Sequence, residues 1–96
     1  MGQVMKLSDV LAQLDSLDRE ATIYAAQPWT HDSAAIVEAE PSSGGLPEAA
    51  AQRGMAYFLE VFVAHDFVED WEASLDKPPS AAERCDRLIR YAVDDA

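Results

Sequence analysis

Between Ala64 and Asp76 the chain carries Asp66, Glu69, Asp70, Glu72 and Asp76 and no lysine or arginine. Asp66 and Asp70 are four apart, as are His65 and Glu69, so on a helix each pair shares a face. Two carboxylates, or an imidazole and a carboxylate, at that spacing can share a proton or fill two positions around a divalent cation. A metal site needs further ligands, and His31 with Asp32 would supply them only if their loop folded back onto this helix. Nothing in the spacing calls for that, so no metal or other cofactor is expected. The plainer reading is a solvated acidic face, with Asp66 in the first turn, where the helix dipole favours a negative charge.

Other chemistry is sparse. There is no G-x-S-x-G elbow, no H-E-x-x-H and no pair of cysteines. Gly44-Gly45 precedes no lysine, so a phosphate cradle has no support. Cys85 falls on the apolar side of its segment and reads as a buried structural thiol. Glu60 interrupts an otherwise apolar run, and a charge there is costly unless paired. It reads as a residue at a sheet margin or a partner of an arginine such as Arg87. The sharper alternative is an acid whose pKa is raised for function. Trp29 follows Pro28 in a polar loop, either as an exposed anchor for a protein partner or folded back over a sheet edge. Arg84, Arg87 and Arg90 recur every third residue, which suits partners for nearby acids better than a nucleic-acid stripe.

The overall charge sharpens this. Eighteen acidic residues stand against seven basic ones, a formal net charge of -11. Such a charge repels polyanions, so direct contact with DNA, RNA or an anionic membrane is not expected. It attracts cations, basic proteins and surfaces that ordinarily bind nucleic acid, although solubility alone also accounts for it. The single cysteine implies no oxidising compartment. No apolar run approaches the length of a membrane span, and the first residues show no signal-peptide core. Met1-Gly2 begins like a myristoylation site, but Lys6 stands where a hydroxyl residue is needed. A cytoplasmic location is the expectation.

The elements that must position these residues follow from periodicity. Leu7, Val10, Leu11, Leu14 and Leu17 predict a helix over Leu7–Leu17. Thr22-Ile23-Tyr24 centres a strand over Ala21–Ala26, ended by Pro28. Ala34–Glu40 is ambiguous: Ala35-Ile36-Val37 favours a strand, which is the expectation, but the alanines and glutamates would also suit a helix. Pro41-Ser42-Ser43-Gly44-Gly45 reads as a turn. Pro47, Glu48, Arg53 and Gly54 punctuate a helix of about two turns. Met55–Val63 is apolar on both alternate sets apart from Glu60, which predicts a central strand with Phe62 in the core. Ala64–Leu75 predicts a helix with Ala64, Phe67, Val68, Trp71 and Leu75 inward. Ser80-Ala81-Ala82-Glu83 is a capping box opening a last helix. Its inner face would be Ala82, Cys85, Leu88, Ile89 and Ala92, with the arginines and Tyr91 outside. Tyr57, Phe58, Phe62, Phe67 and Trp71 lie within fifteen positions and read as the centre of the core.

With 96 residues and 49% hydrophobic content the chain suits one folded domain with a modest core. The expected architecture is a single acidic α+β domain over residues 1–96, with a small three-stranded sheet packed with helices in a two-layer sandwich. A crossover through the short helix would allow a mixed sheet.

Five stretches, Leu7-Ser8-Asp9-Val10-Leu11, Ala21-Thr22-Ile23-Tyr24-Ala25, Pro28-Trp29-Thr30, Tyr57-Phe58-Leu59-Glu60-Val61-Phe62 and Arg87-Leu88-Ile89-Arg90-Tyr91-Ala92, together resemble a family of small uncharacterised bacterial proteins. The resemblance spans nearly the whole chain. It implies a stand-alone bacterial domain and carries no activity or site with it.

Three functions remain open. The first is a non-catalytic protein-binding module, of inhibitor, antitoxin or immunity type, acting on a basic partner through Asp66, Glu69, Asp70, Glu72 and Trp29. The second is a nucleic-acid mimic that occupies a DNA- or RNA-binding surface. The third is a small metal-dependent enzyme using His65, Asp66, Glu69 and Asp70. The first is the expected one.

Overall fold

In the structure, a computed structural model, residues 3–42 and 44–95 are described, the last without its side chain. Met1-Gly2 and Ser43 of the predicted turn lie outside them. The elements run β1 (Met5–Lys6), α1 (Leu7–Ala12), a 3₁₀ turn (Leu14–Ser16), β2 (Thr22–Ala26), β3 (Ala34–Glu38), α2 (Glu48–Gln52), β4 (Met55–Glu60), α3 (Val61–Ala73) and α4 (Ala81–Asp95). The α+β class holds, but the sheet has four strands in the order β1-β3-β2-β4, and every pairing is antiparallel. The additional strand, β1, is two residues long, too short to leave a periodicity in the sequence.

The predicted first helix is divided. Leu7–Ala12 is α-helical, and the chain then tightens into the 3₁₀ turn, where the Ser16 hydroxyl donates to the Gln13 carbonyl at 2.8 Å. The apolar period survives the change, with Leu7, Val10, Leu11 and Leu14 all buried. Among the described residues no side chain caps α1. Its first free amides are satisfied by the β2–β3 loop instead: Leu7 N donates to Ser33 O (2.8 Å) and Ser8 N to His31 O (3.0 Å).

The largest departure lies at the junction of β4 and α3. The strand stops at Glu60, and Val61 begins the helix with no intervening residue. The Val61 amide makes the last rung with the Ala21 carbonyl at 2.9 Å. From there Val61, Ala64 and Val68 turn inward at helical spacing and are buried. Phe62 is thereby carried outward and is 42% exposed, so it is not a core residue. Val61-Phe62-Val63 has strong strand propensity, but packing against the sheet overrides it. At its other end the helix closes at Ala73, and Leu75 is exposed beyond it.

Nor is β4 central. It pairs only with β2 among the described residues and forms an edge. A register shift opposite Ile23/Tyr24 pairs Ile23 with Leu59 and Tyr24 with Tyr57, leaving Phe58 as the extra residue. Phe58 and Leu59 both join the main core in consequence. The apolar run that suggested a strand buried on both faces is thus a bulged edge strand.

The core divides across the sheet. Ile23, Ala25, Ala35, Phe58 and Leu59 meet residues of α1, α3 and α4 on one face, while Tyr24, Ile36 and Met55 meet Ala50 of α2 on the other. The expected aromatic centre is corrected: of its five members only Phe58 is buried, Phe67 and Trp71 are half-buried, and Tyr57 and Phe62 are exposed. The capping box forms as predicted, with Glu83 N donating to Ser80 Oγ (3.1 Å) and Ser80 N to Glu83 Oε1 (2.8 Å). On α4, Cys85, Leu88 and Ala92 are buried and Ile89 half-buried, but Ala82 is exposed. Tyr91, expected outside, is half-buried and stacks on Phe67 with ring centroids 4.2 Å apart. Gly54 holds φ +67 as the left-handed stop after α2.

Candidate functional site

The acidic segment is α3, and its carboxylates are not equivalent. The residues that bury Val61, Ala64 and Val68 leave Phe62, Asp66, Glu69, Asp70 and Ala73 as the exposed side of the helix. An aromatic ring therefore heads a stripe of three carboxylates. Glu72 lies off that stripe, half-buried toward α4.

Two of the four candidate carboxylates carry a cation from within the chain. Arg84 of α4 donates Nε–H and Nη2–H to Oε2 of Glu72, at 3.0 and 2.7 Å. Arg19, in the segment after the 3₁₀ turn, donates to Oδ1 of Asp66 at 3.2 Å. Glu69 and Asp70 are exposed and carry no ion pair among the described residues. The remaining negative character of the helix surface is thus concentrated on them.

His65 stands at the centre of a small network. Arg19 Nη1 lies 3.1 Å from Nδ1, and Asp15 Oδ1 lies 2.9 Å from Nε2. A guanidinium can only donate, so Nδ1 accepts and Nε2 carries the proton that it donates to Asp15. Both ring nitrogens are thus engaged by side chains from outside α3. His31 is bound elsewhere, to Asp86 of α4, and does not join His65. Among the described residues no group of three or more His, Cys, Asp or Glu side chains is arranged to hold a metal ion.

Trp29 does not stand out from its loop. It is half-buried, its Nε1–H donates to the Ala25 carbonyl at 3.1 Å, and its ring meets Phe58 edge-to-face with centroids 4.9 Å apart. Of the two expectations for this residue, the folded-back one holds. Trp29 and the α3 acids therefore belong to different surroundings: one closes the core, and the others face outward.

Glu60 occupies the sheet margin, at the end of β4 and at the N-cap position of α3, without a side-chain cap bond. It pairs across the ladder with Thr22, whose other neighbour is Glu38. The expected partner Arg87 lies instead over the Phe67 ring, 4.9 Å from its centroid. Burial raises the pKa of the nearby Tyr24 phenol; the charges of Glu40, Glu38 and Glu60 add to this, and a hydrogen bond with Thr22 partly offsets it. Cys85 is buried, and desolvation, reinforced by the charge of Asp86, pushes its thiol up to about 11.

Sequence reasoning missed a cleft of about 180 Å³ where the 3₁₀ turn, α3 and α4 meet. Leu14 and Val68 line its apolar part, and Asp15, His65, Glu69, Glu72 and Arg84 its polar part. The i, i+4 pair His65/Glu69 pointed to one wall, but Asp15 and Arg84 are brought there only by packing.

Compared with protein-family models, with curated proteins and with solved structures, the chain matches none. Among the described residues no helix is long and apolar enough to cross a membrane.

Proposed function

We propose that this chain is a non-catalytic protein-binding module of the inhibitor, antitoxin or immunity type, which covers a basic surface of a partner protein. The observation that carries this reading is the exposed side of α3, where Phe62 adjoins Asp66, Glu69 and Asp70 without a lysine or arginine on the helix. An exposed aromatic beside carboxylates offers an apolar anchor and a charged rim together. The excess negative charge would steer a basic partner toward it. An enzyme built on His65, Asp66, Glu69 and Asp70 is disfavoured, because Asp15 and Arg19 occupy both nitrogens of His65. The proposal includes a cytoplasmic setting, supported by a lone buried thiol, and membership of the bacterial family that the chain resembles.

The test is affinity capture from a lysate of the native host. The baits are the wild-type chain, a Glu69→Lys/Asp70→Lys variant and an Asp9→Lys/Asp94→Lys control. Glu69 and Asp70 are chosen because Asp66 and Glu72 hold Arg19 and Arg84, so reversing those two would disturb the structure. A basic protein retained by wild type and control but lost from the α3 variant supports the reading. Equal loss from both variants makes net charge the cause, and capture of no basic protein overturns the proposal.

A further inference from the structure

We infer that the cleft between the 3₁₀ turn, α3 and α4 seats one lysine or arginine side chain of the basic partner. This rests on the protein-binding reading above and gives that partner its chemistry at one point of contact.

The cleft is the wrong size for a larger ligand. Its volume of about 180 Å³ falls below the roughly 300–1,000 Å³ of ordinary small-molecule sites. It suits a single long side chain. Its chemistry is divided as such a side chain is divided. Leu14 and Val68, 3% and 7% exposed, supply an apolar floor. Asp15 and Glu69 rise from the 3₁₀ turn and from α3 as exposed carboxylates at its rim. A lysine or arginine has an aliphatic stem to lie on the floor and a cationic head to reach the rim. An anion would meet carboxylates on both elements.

The cleft already holds a side chain of this kind. Arg84 reaches in from α4 and places its guanidinium on Glu72, with its side chain 27% exposed. That neutralises one wall. Next to it, His65 donates to Asp15 from Nε2, leaving the rest of that carboxylate, 90% exposed, free for an incoming donor. The cation-accepting capacity that remains in the cleft is therefore that of Asp15 and Glu69, beside the small apolar surface that Leu14 and Val68 contribute.

The floor makes the inference separable from simple attraction to an acidic surface. The experiment is a titration followed by ¹H–¹⁵N NMR at constant ionic strength, with n-butylammonium, ethylammonium and N-acetyl-norleucine amide as probes. Butylammonium should give saturable shifts at Leu14, His65, Val68 and Glu69, with a millimolar dissociation constant. It should bind about tenfold more tightly than ethylammonium, since each buried methylene contributes about three- to fourfold. The uncharged norleucine amide should leave these resonances in place. In an Asp15→Asn/Glu69→Gln variant, whose changes are on exposed side chains, butylammonium should bind about fivefold more weakly. Equal affinity for the two ammonium ions, or shifts spread along Phe62, Asp66 and Asp70, would overturn the inference. A captured basic protein that binds without moving the Leu14, His65 and Val68 resonances would also overturn it, while leaving the protein-binding reading intact. Stem-selective binding in the cleft by a chain that captures no basic protein would support the cation seat and overturn that reading instead.

Discussion

Arg19 Nη1 lies 3.1 Å from Nδ1 of His65, and this contact fixes which nitrogen of the ring carries its proton. The two residues are 46 positions apart in sequence. Their meeting ties the segment after the 3₁₀ turn to the first turns of α3, beside the cleft. Because the guanidinium has no acceptor, the neutral ring is held with its proton on Nε2, facing Asp15.

That assignment can be read directly. Long-range ¹H–¹⁵N correlation spectra of the neutral ring should show His65 Nδ1 as the unprotonated nitrogen. Arg19→Met should relax the preference and give a mixture of tautomers. Nδ1 found protonated in the wild type would contradict the arrangement.

The exchange of roles between Phe58 and Phe62 is open to denaturation. Phe58 is 1% exposed and packs against Trp29, whereas Phe62 is 42% exposed. Phe58→Ala should cost about 3–5 kcal/mol. Phe62→Ala should stay within about 1 kcal/mol of wild type. Urea unfolding of both variants decides it, and equal losses would mean that β4 continues through Phe62 after all.

The Glu72–Arg84 pair should contribute more than an ordinary surface ion pair. Both side chains are largely covered, at 30% and 27% exposure, and two N–H groups converge on one carboxylate oxygen. A double-mutant cycle with Glu72→Gln and Arg84→Met should give a coupling of about 1 kcal/mol at low salt. A coupling near zero would mean that α4 is held by its apolar face alone.

Cys85 predicts an alkaline limb in stability. An unfolded thiol loses its proton near pH 9, whereas the buried one keeps it to about 11. Between those values the unfolded state binds fewer protons than the folded one, so stability falls as pH rises. The loss should reach about 2 kcal/mol near pH 10.5, with Tyr24 adding to it because its pKa is also raised. Urea unfolding between pH 7.5 and 10.5 should show the slope, and Cys85→Ala should flatten it. An unchanged slope in that variant would assign the limb to other groups.

Local chemistry is strong enough to write several of these features into the sequence. The Leu7–Leu14 stripe, strand β2, the Gly54 stop and the Ser80/Glu83 box each depend on residues within a few positions of one another, whereas Ala34–Glu40, open to strand or helix by composition, supplies β3 by pairing with β2. The negative charge of α3 is local as well. The hydrophobic period of Val61, Ala64 and Val68 was also present, but the strand propensity of Val61-Phe62-Val63 competed with it. Only the rung from Val61 to Ala21 and the closing of the helix over the sheet decided where β4 ends. The bulge at Phe58 likewise depends on pairing with β2, so a bulged edge strand read as a central one. The same holds for the site. Which residues of α3 are acidic is local, but which remain free is not. Arg19 and Arg84 reach Asp66 and Glu72 through the fold, Trp29 turns back onto Phe58, and Asp15 arrives beside His65 only when the 3₁₀ turn packs on α3. Contacts between residues so far apart in sequence leave no spacing to read, because their geometry exists only once the core has closed.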